Sequence, residues 1–267
     1  MSNLAPRHLD QAEVELLLKK LATVEAIVVG GQALALWCRL FLDRAPHIAS
    51  AYSLTSEDLD VYGSATEAAT FAALLDDAEL IVTPAWDASP NSAVVIGKIK
   101  DRTVRVDFMR NILGVSAASI KEHYVTFERP VDNGGEPVRF SLLHPLDCLR
   151  SRLSNINDLK RQGVHAITSA AASMVIVDLF ISELLDAGEF RQAQDALMDL
   201  YFIGRDNCLD KPAGKLHSLN PLEILQKYRL DVRLDERWRG FQLTSAINRY
   251  REKMQKREKK SVSQSEA

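Results

Sequence analysis

Apolar positions recur at helical spacing near the start of the chain. Leu9, Ala12 and Leu16, with Lys19-Lys20 on the polar side, predict an amphipathic helix over 8–22. Ala26 to Val29 is a short apolar run that predicts a buried strand, ended by Gly30-Gly31. Helical spacing returns from Gly31 to Leu42, where Ala33, Leu34, Leu36, Trp37, Leu40 and Phe41 form a broad apolar surface. The stretch 43–55 is looser, and a strand over 58–62 follows, closed by Gly63-Ser64. A helix is expected over 66–76, a strand over 79–83 and a loop over 84–92. Val94–Ile99 and Val104–Phe108 alternate around Lys100-Asp101-Arg102-Thr103, which predicts a hairpin. Val125–Pro130 and Val138–Leu142 predict a further pair across Asn133-Gly134-Gly135.

The pattern changes at Pro145. Strand periodicity stops, and helical periodicity runs over 146–156, 166–186, 190–204, 221–228 and 236–255. The fold class expected is α+β: a mixed sheet with flanking helices over 1–142, then a helical domain over 143–250. Residues 251–267 are rich in Lys, Arg and Ser and predict a basic, polar, disordered tail.

The net charge of −3 carries no global signature of nucleic-acid binding, so any such contact is local. The first residues lack a basic-then-apolar signal pattern, and no uninterrupted apolar run reaches membrane-spanning length. The longest, 166–181, carries Thr168, Ser169, Ser173 and Asp178. A cytoplasmic protein is expected. Cys38, Cys148 and Cys208 are widely spaced and read as buried thiols rather than a disulfide framework or zinc site. The histidines are scattered; His144, just before Pro145, is expected to be structural.

Chemistry concentrates in three aspartates. Asp58 and Asp60 share one side of a strand by the two-residue period, and Asp107 sits inside the apolar run Val106-Asp107-Phe108. If the two strands are neighbours, the three carboxylates converge and require cations, with hard oxygen ligands favouring magnesium. Arg105 is expected on the face opposite Asp107, which leaves a metal as the partner. Gly30 and Gly31 allow close backbone approach to a phosphate, and the helix after them presents its positive end. Together these point to metal-dependent nucleotide chemistry.

Val29-Gly30-Gly31, Asp58-Leu59-Asp60 and Val106-Asp107-Phe108 resemble the nucleotidyltransferase superfamily of DNA polymerase β. Gly30-Gly31-Gln32-Ala33-Leu34 with Ser56-Glu57-Asp58-Leu59-Asp60 particularly resembles the AbiEii-type toxins of abortive-infection and toxin–antitoxin pairs. The resemblance covers motif blocks in roughly the first 150 residues. It implies a nucleotidyltransferase-like sheet, two Mg2+ ions held by Asp58, Asp60 and Asp107 as catalytic ligands, and an NTP donor. It implies transfer of a nucleoside monophosphate to a hydroxyl acceptor, RNA and especially tRNA, and a partner antitoxin. Gly30, Gly31 and Gln32 are the expected nucleotide-binding turn, with Lys98 and Lys100 as further candidates on the neighbouring strand. Arg152, in Pro145–Leu153, takes the place where that family usually has lysine. Gln32 stands where a small hydroxyl residue is usual, and the stretch between Gly31 and Asp58 is a long insertion. Asn157-Asp158-Leu159-Lys160-Arg161 is the nearest match to a basic–acidic helical motif downstream.

Two other functions fit the same residues. A small-molecule nucleotidyltransferase of the antibiotic-resistance kind uses a similar turn and Asp-x-Asp. A non-catalytic nucleotide-binding interaction protein would keep the site without transfer. A basic groove built from Arg150, Arg152, Lys160 and Arg161 would favour RNA.

Overall fold

The computed structural model describes residues 9–48, 58–100, 102–129 and 137–265. The stretch 49–57, with Ser56 and Glu57 of the quoted motif, lies outside the described residues, as does the Asn133-Gly134-Gly135 turn. The chain divides into two compact units between Ser151 and Arg152; the sequence placed the boundary at 142/143.

The first unit opens with α1 (Gln11–Leu21), started by a capping box in which Asp10 and Glu13 each accept the other's backbone N–H. Strand β1 (Ile27–Val28) leads directly into α2 (Gly30–Leu40). Then come β2 (Leu59–Tyr62), α3 (Ala65–Ala72), β3 (Asp76–Val82), β4 (Asn91–Ile99) and β5 (Arg102–Met109). Helix α4 (Ala117–His123), β6 (Val125–Arg129) and β7 (Val138–Leu142) follow, and α5 (Pro145–Asn157) runs across the division. The seven strands form one mixed sheet in the order β3-β4-β5-β2-β1-β7-β6. Both expected hairpins are present, β4 with β5 and β6 with β7.

The pairing that matters most is parallel: β2 lies beside β5 in the register Leu59↔Val106, Asp60↔Asp107 and Val61↔Phe108. On one face Leu59, Val61, Val106 and Phe108 are fully buried, and Phe71 of α3 packs on Phe108 at a ring separation of 5.8 Å. Burying this face anchors the register, since a one-residue slip would put the aspartates into the core. The opposite face carries the polar members of both strands.

The helix expected over 66–76 ends at Ala72. Asp77 takes a left-handed backbone, and the β3–β4 register shifts between Asp76 and Glu79, so the chain turns early into an edge strand. Leu75 fills the space beside Gly97, where a Cβ would lie 2.8 Å from it. Helix α4 had no counterpart in the periodicity; only seven residues long, it buries a single side chain, Ile120.

The second unit contains α6 (Val164–Asp186), α7 (Phe190–Asn207), α8 (Pro212–His217) and α9 (Leu222–Arg229). It ends in α10 (Glu236–Trp238), a π-helical turn (Arg239–Leu243) and α11 (Thr244–Ser265). Helix α6 is long and apolar enough, by length and composition alone, to cross a bilayer, although Asp178 and Glu183 interrupt its apolar run as the sequence shows. Its hydroxyls do not interrupt it, because Ser169 and Ser173 donate to carbonyls one turn back, at 2.6 and 2.8 Å. Within the unit it buries Ile176, Val177 and Ile181, and Lys227 binds the Asp178 carboxylate. Helix α11 extends through the stretch expected as a disordered tail; Lys, Arg, Glu and Gln are all good helix formers.

Candidate functional site

Three strand positions and one glycine build the site. Asp60 and Asp107 stand directly opposite each other in the β2–β5 register, and Asp58 precedes Asp60 by one strand period. One oxygen from each of the three carboxylates lies within 4.8 Å of the others. Asp107 is buried, and Asp58 and Asp60 are half-buried. Three carboxylates at this separation repel one another strongly, and their oxygens are the donors that hard divalent cations take. They lie close enough together to hold a metal ion.

Strand β1 supplies the floor. The Val29 N–H donates to the Asp60 carbonyl at 2.9 Å, which sets the start of α2 against β2. Gly30 follows with a left-handed backbone, φ +63°. A Cβ there would lie 2.1 Å from Asp60 Oδ2, so the carboxylate occupies the space that any other residue's side chain would fill. Helix α2 has no side-chain cap and no acidic residue in its first turn. Its positive end therefore faces the carboxylate cluster without a carboxylate of its own.

Arg105 corrects the sequence expectation. It does not point away from Asp107: its Nε donates to Asp107 Oδ1 at 2.8 Å and its Nη2 to Oδ2 at 3.1 Å. Residues two apart on a strand share a face, and that spacing was the signal available in the sequence. The pair raises the Arg105 pKa, first through the Asp107 hydrogen bonds, against a desolvation cost, and then through the charges of Asp107, Asp58 and Asp60.

The other expected site residues are placed as follows. Lys98 shares the face of Val94, which opposes Asp107, but it sits four residues further along β4, about 13 Å at strand rise. There its Nζ pairs with Asp77 at 2.7 Å on the exposed sheet surface. Lys100 occupies the hairpin turn with φ +54°. Arg152 belongs to the second unit, and its Nη2 is buried with no hydrogen-bond partner among the described residues. Arg150 is tied to Asp147 at 2.9 Å, a carboxylate that also accepts from Ser119 at 2.8 Å. The downstream motif is not in a helix: α5 ends at Asn157, whose amide bonds Asn207 and Ala213, and Lys160 takes a left-handed turn.

Gln32 is enclosed in the first turn of α2 at 1% exposure, and among the described residues neither of its amide atoms has a hydrogen-bond partner. An unpaired buried amide costs roughly 1–3 kcal/mol. Gln32→Met keeps the volume and removes the penalty, so the variant is expected to melt higher than the wild type. Thermal unfolding of the two proteins checks it, and an unchanged or lowered midpoint contradicts an unpaired amide.

His144, before α5, accepts the Leu146 N–H at its Nδ1 and lies 6.2 Å from the His123 ring. Burial drives its pKa down to about 4, with Asp147 opposing and His123 and Arg150 assisting. The three cysteines are buried thiols, and burial pushes both Cys38 and Cys208 up to about 12.

A separate cavity of about 780 Å³ opens within the first unit, lined among others by Tyr62, Ser64, Lys121, Tyr124, Thr126 and Arg139. Tyr62 lies one strand period beyond Asp60 on the same face of β2, and it pairs across to Ile27, which in turn pairs with Ser141.

No protein-family model, curated protein or solved structure matches this chain.

Proposed function

We propose that this protein is a metal-dependent nucleotidyltransferase that moves a nucleoside monophosphate from an NTP to a hydroxyl acceptor and releases pyrophosphate. The observation that carries the reading is the convergence of Asp58, Asp60 and Asp107 beside the Gly30 turn. Two bound Mg2+ ions would supply neutralisation of the triphosphate and a lowered pKa for the attacking hydroxyl. Asp58, Asp60 and Asp107 would hold the ions. Gly30 and Gly31 bring backbone N–H groups and the positive end of α2 to the phosphates. The acceptor hydroxyl releases its proton to solvent, and its oxygen bonds to the α-phosphorus as the bond to the pyrophosphate oxygen breaks. By the motif resemblance, the acceptor is RNA, especially tRNA, the setting is cytoplasmic toxin–antitoxin or phage-defence biology, and an antitoxin is the protein partner.

A second reading has its own support. The 780 Å³ cavity is of the size that holds small ligands, and it carries Lys121 and Arg139 alongside tyrosine and hydroxyl groups. With Glu25, Glu67 and Arg110 also in its lining, the cavity suits a small, polar, hydroxyl-bearing acceptor better than a nucleic acid.

Both readings are tested by incubating the purified protein with each α-labelled NTP and Mg2+, with either total RNA or a small-molecule extract. Asp60→Asn serves as the control. Label in tRNA with the wild type alone supports the first reading, and label in a small molecule the second. No Mg2+-dependent transfer or NTP binding sinks both.

A further inference from the structure

The bidentate pair between Arg105 and Asp107 bears on how the site is loaded, and this inference rests on the metal–nucleotide reading above. The guanidinium takes both Asp107 oxygens, one through Nε and one through Nη2. It lies in the field of Asp58 and Asp60 as well. Its side chain is 55% exposed, so it reaches the cluster from the solvent side.

A guanidinium and a divalent cation compete for the same carboxylate oxygens. Like charges that close repel, and a divalent ion doubles the repulsion a monovalent one would feel. Metal arriving alone must therefore displace Arg105 into water. Metal arriving with a triphosphate brings a partner for it, because the planar fork that fits a carboxylate also fits a phosphate.

We propose that Arg105 is an exchangeable counter-ion: it holds Asp107 while the site lacks metal, and it transfers to the phosphates of the incoming nucleoside triphosphate when metal takes Asp107. Arg105 thereby opposes the binding of metal alone and favours the binding of metal with nucleotide. By linkage, it couples the two ligands.

The test is Mn2+ titration of the full chain, with and without inorganic triphosphate, in wild type, Arg105→Gln, Arg105→Lys and Asp107→Asn. Arg105→Gln is expected to bind Mn2+ alone at least about 5-fold more tightly than wild type, the lower end of typical couplings. Triphosphate should tighten Mn2+ binding in the wild type and much less in Arg105→Gln. Arg105→Lys, which keeps the charge and loses the fork, should fall between them. Circular dichroism confirms that the surface variants fold. If Arg105→Gln binds Mn2+ alone no more tightly than wild type while Asp107→Asn weakens it, the counter-ion role is wrong and the metal site stands. If Asp107→Asn leaves Mn2+ binding unchanged, the metal is not at these carboxylates and both readings fall.

Discussion

Gly30→Ala is expected to abolish Mn2+ binding at the carboxylates and, with it, the nucleotidyl transfer proposed above. Two costs act at one atom. Alanine in the left-handed region costs roughly 1–2 kcal/mol relative to glycine, and Gly30 sits at φ +63°. The added Cβ would lie 2.1 Å from Asp60 Oδ2 and 2.9 Å from Asp60 Cβ. Relieving that overlap requires Asp60 to rotate or the start of α2 to move away from β2. The Val29–Asp60 backbone hydrogen bond resists the second route, so the carboxylate yields. A displacement of about 1 Å at a reacting centre can cost roughly 100-fold in rate, and a loss of at least that order is expected in the proposed transfer. Mn2+ titration and label transfer read the two effects separately. Gly163→Ala is the control, because nothing lies within 4 Å of its added Cβ. Near-wild-type metal affinity in Gly30→Ala would mean that Asp60 does not ligate.

Mild acid is the second large perturbation expected. His144 is kept neutral in the folded chain with a pKa near 4, chiefly by burial. In the unfolded chain an imidazole protonates near 6.5. The folded value is the lower of the two, so this group's contribution is fully present above about pH 6.5 and is lost as pH falls towards 4. A shift of this size corresponds to about 3 kcal/mol, a large share of the stability of an ordinary domain. Chemical denaturation of the wild type at about pH 7 and about pH 4.5 should show that loss. His144→Gln has no imidazole to titrate, so its stability should vary less over the same range. Equal pH dependence in the two proteins would place the acid sensitivity outside His144.

Much of the secondary structure was legible because it is written in local periodicity. The alternation in 94–99 and 104–108 marked a hairpin whose strands pair from Asn91↔Met109 to Ile99↔Arg102. The apolar stripe of 33–41 marked α2, and the loss of strand pattern after Pro145 marked the helical unit. Boundaries failed where tertiary contacts override local preference. The helix expected to reach Asp76 stops at Ala72 because Asp76–Val82 is drawn into pairing with β4. Short α4 and α8 bury too little to show a period.

At the candidate site, the sequence by itself determined which residues bear the charge. The two-residue period put Asp58 and Asp60 on one face, and the apolar neighbours of Asp107 marked a carboxylate in need of a partner. The same period, applied to Arg105, would have named one partner. Only the tertiary structure decided that β2 and β5 lie parallel with Asp60 opposite Asp107, two residues far apart in the chain. It alone set Gly30 against the Asp60 carboxylate, and it alone carried Lys98 away to Asp77. The reason is physical: periodicity is a property of one segment, whereas register follows from how two distant segments bury a shared apolar face.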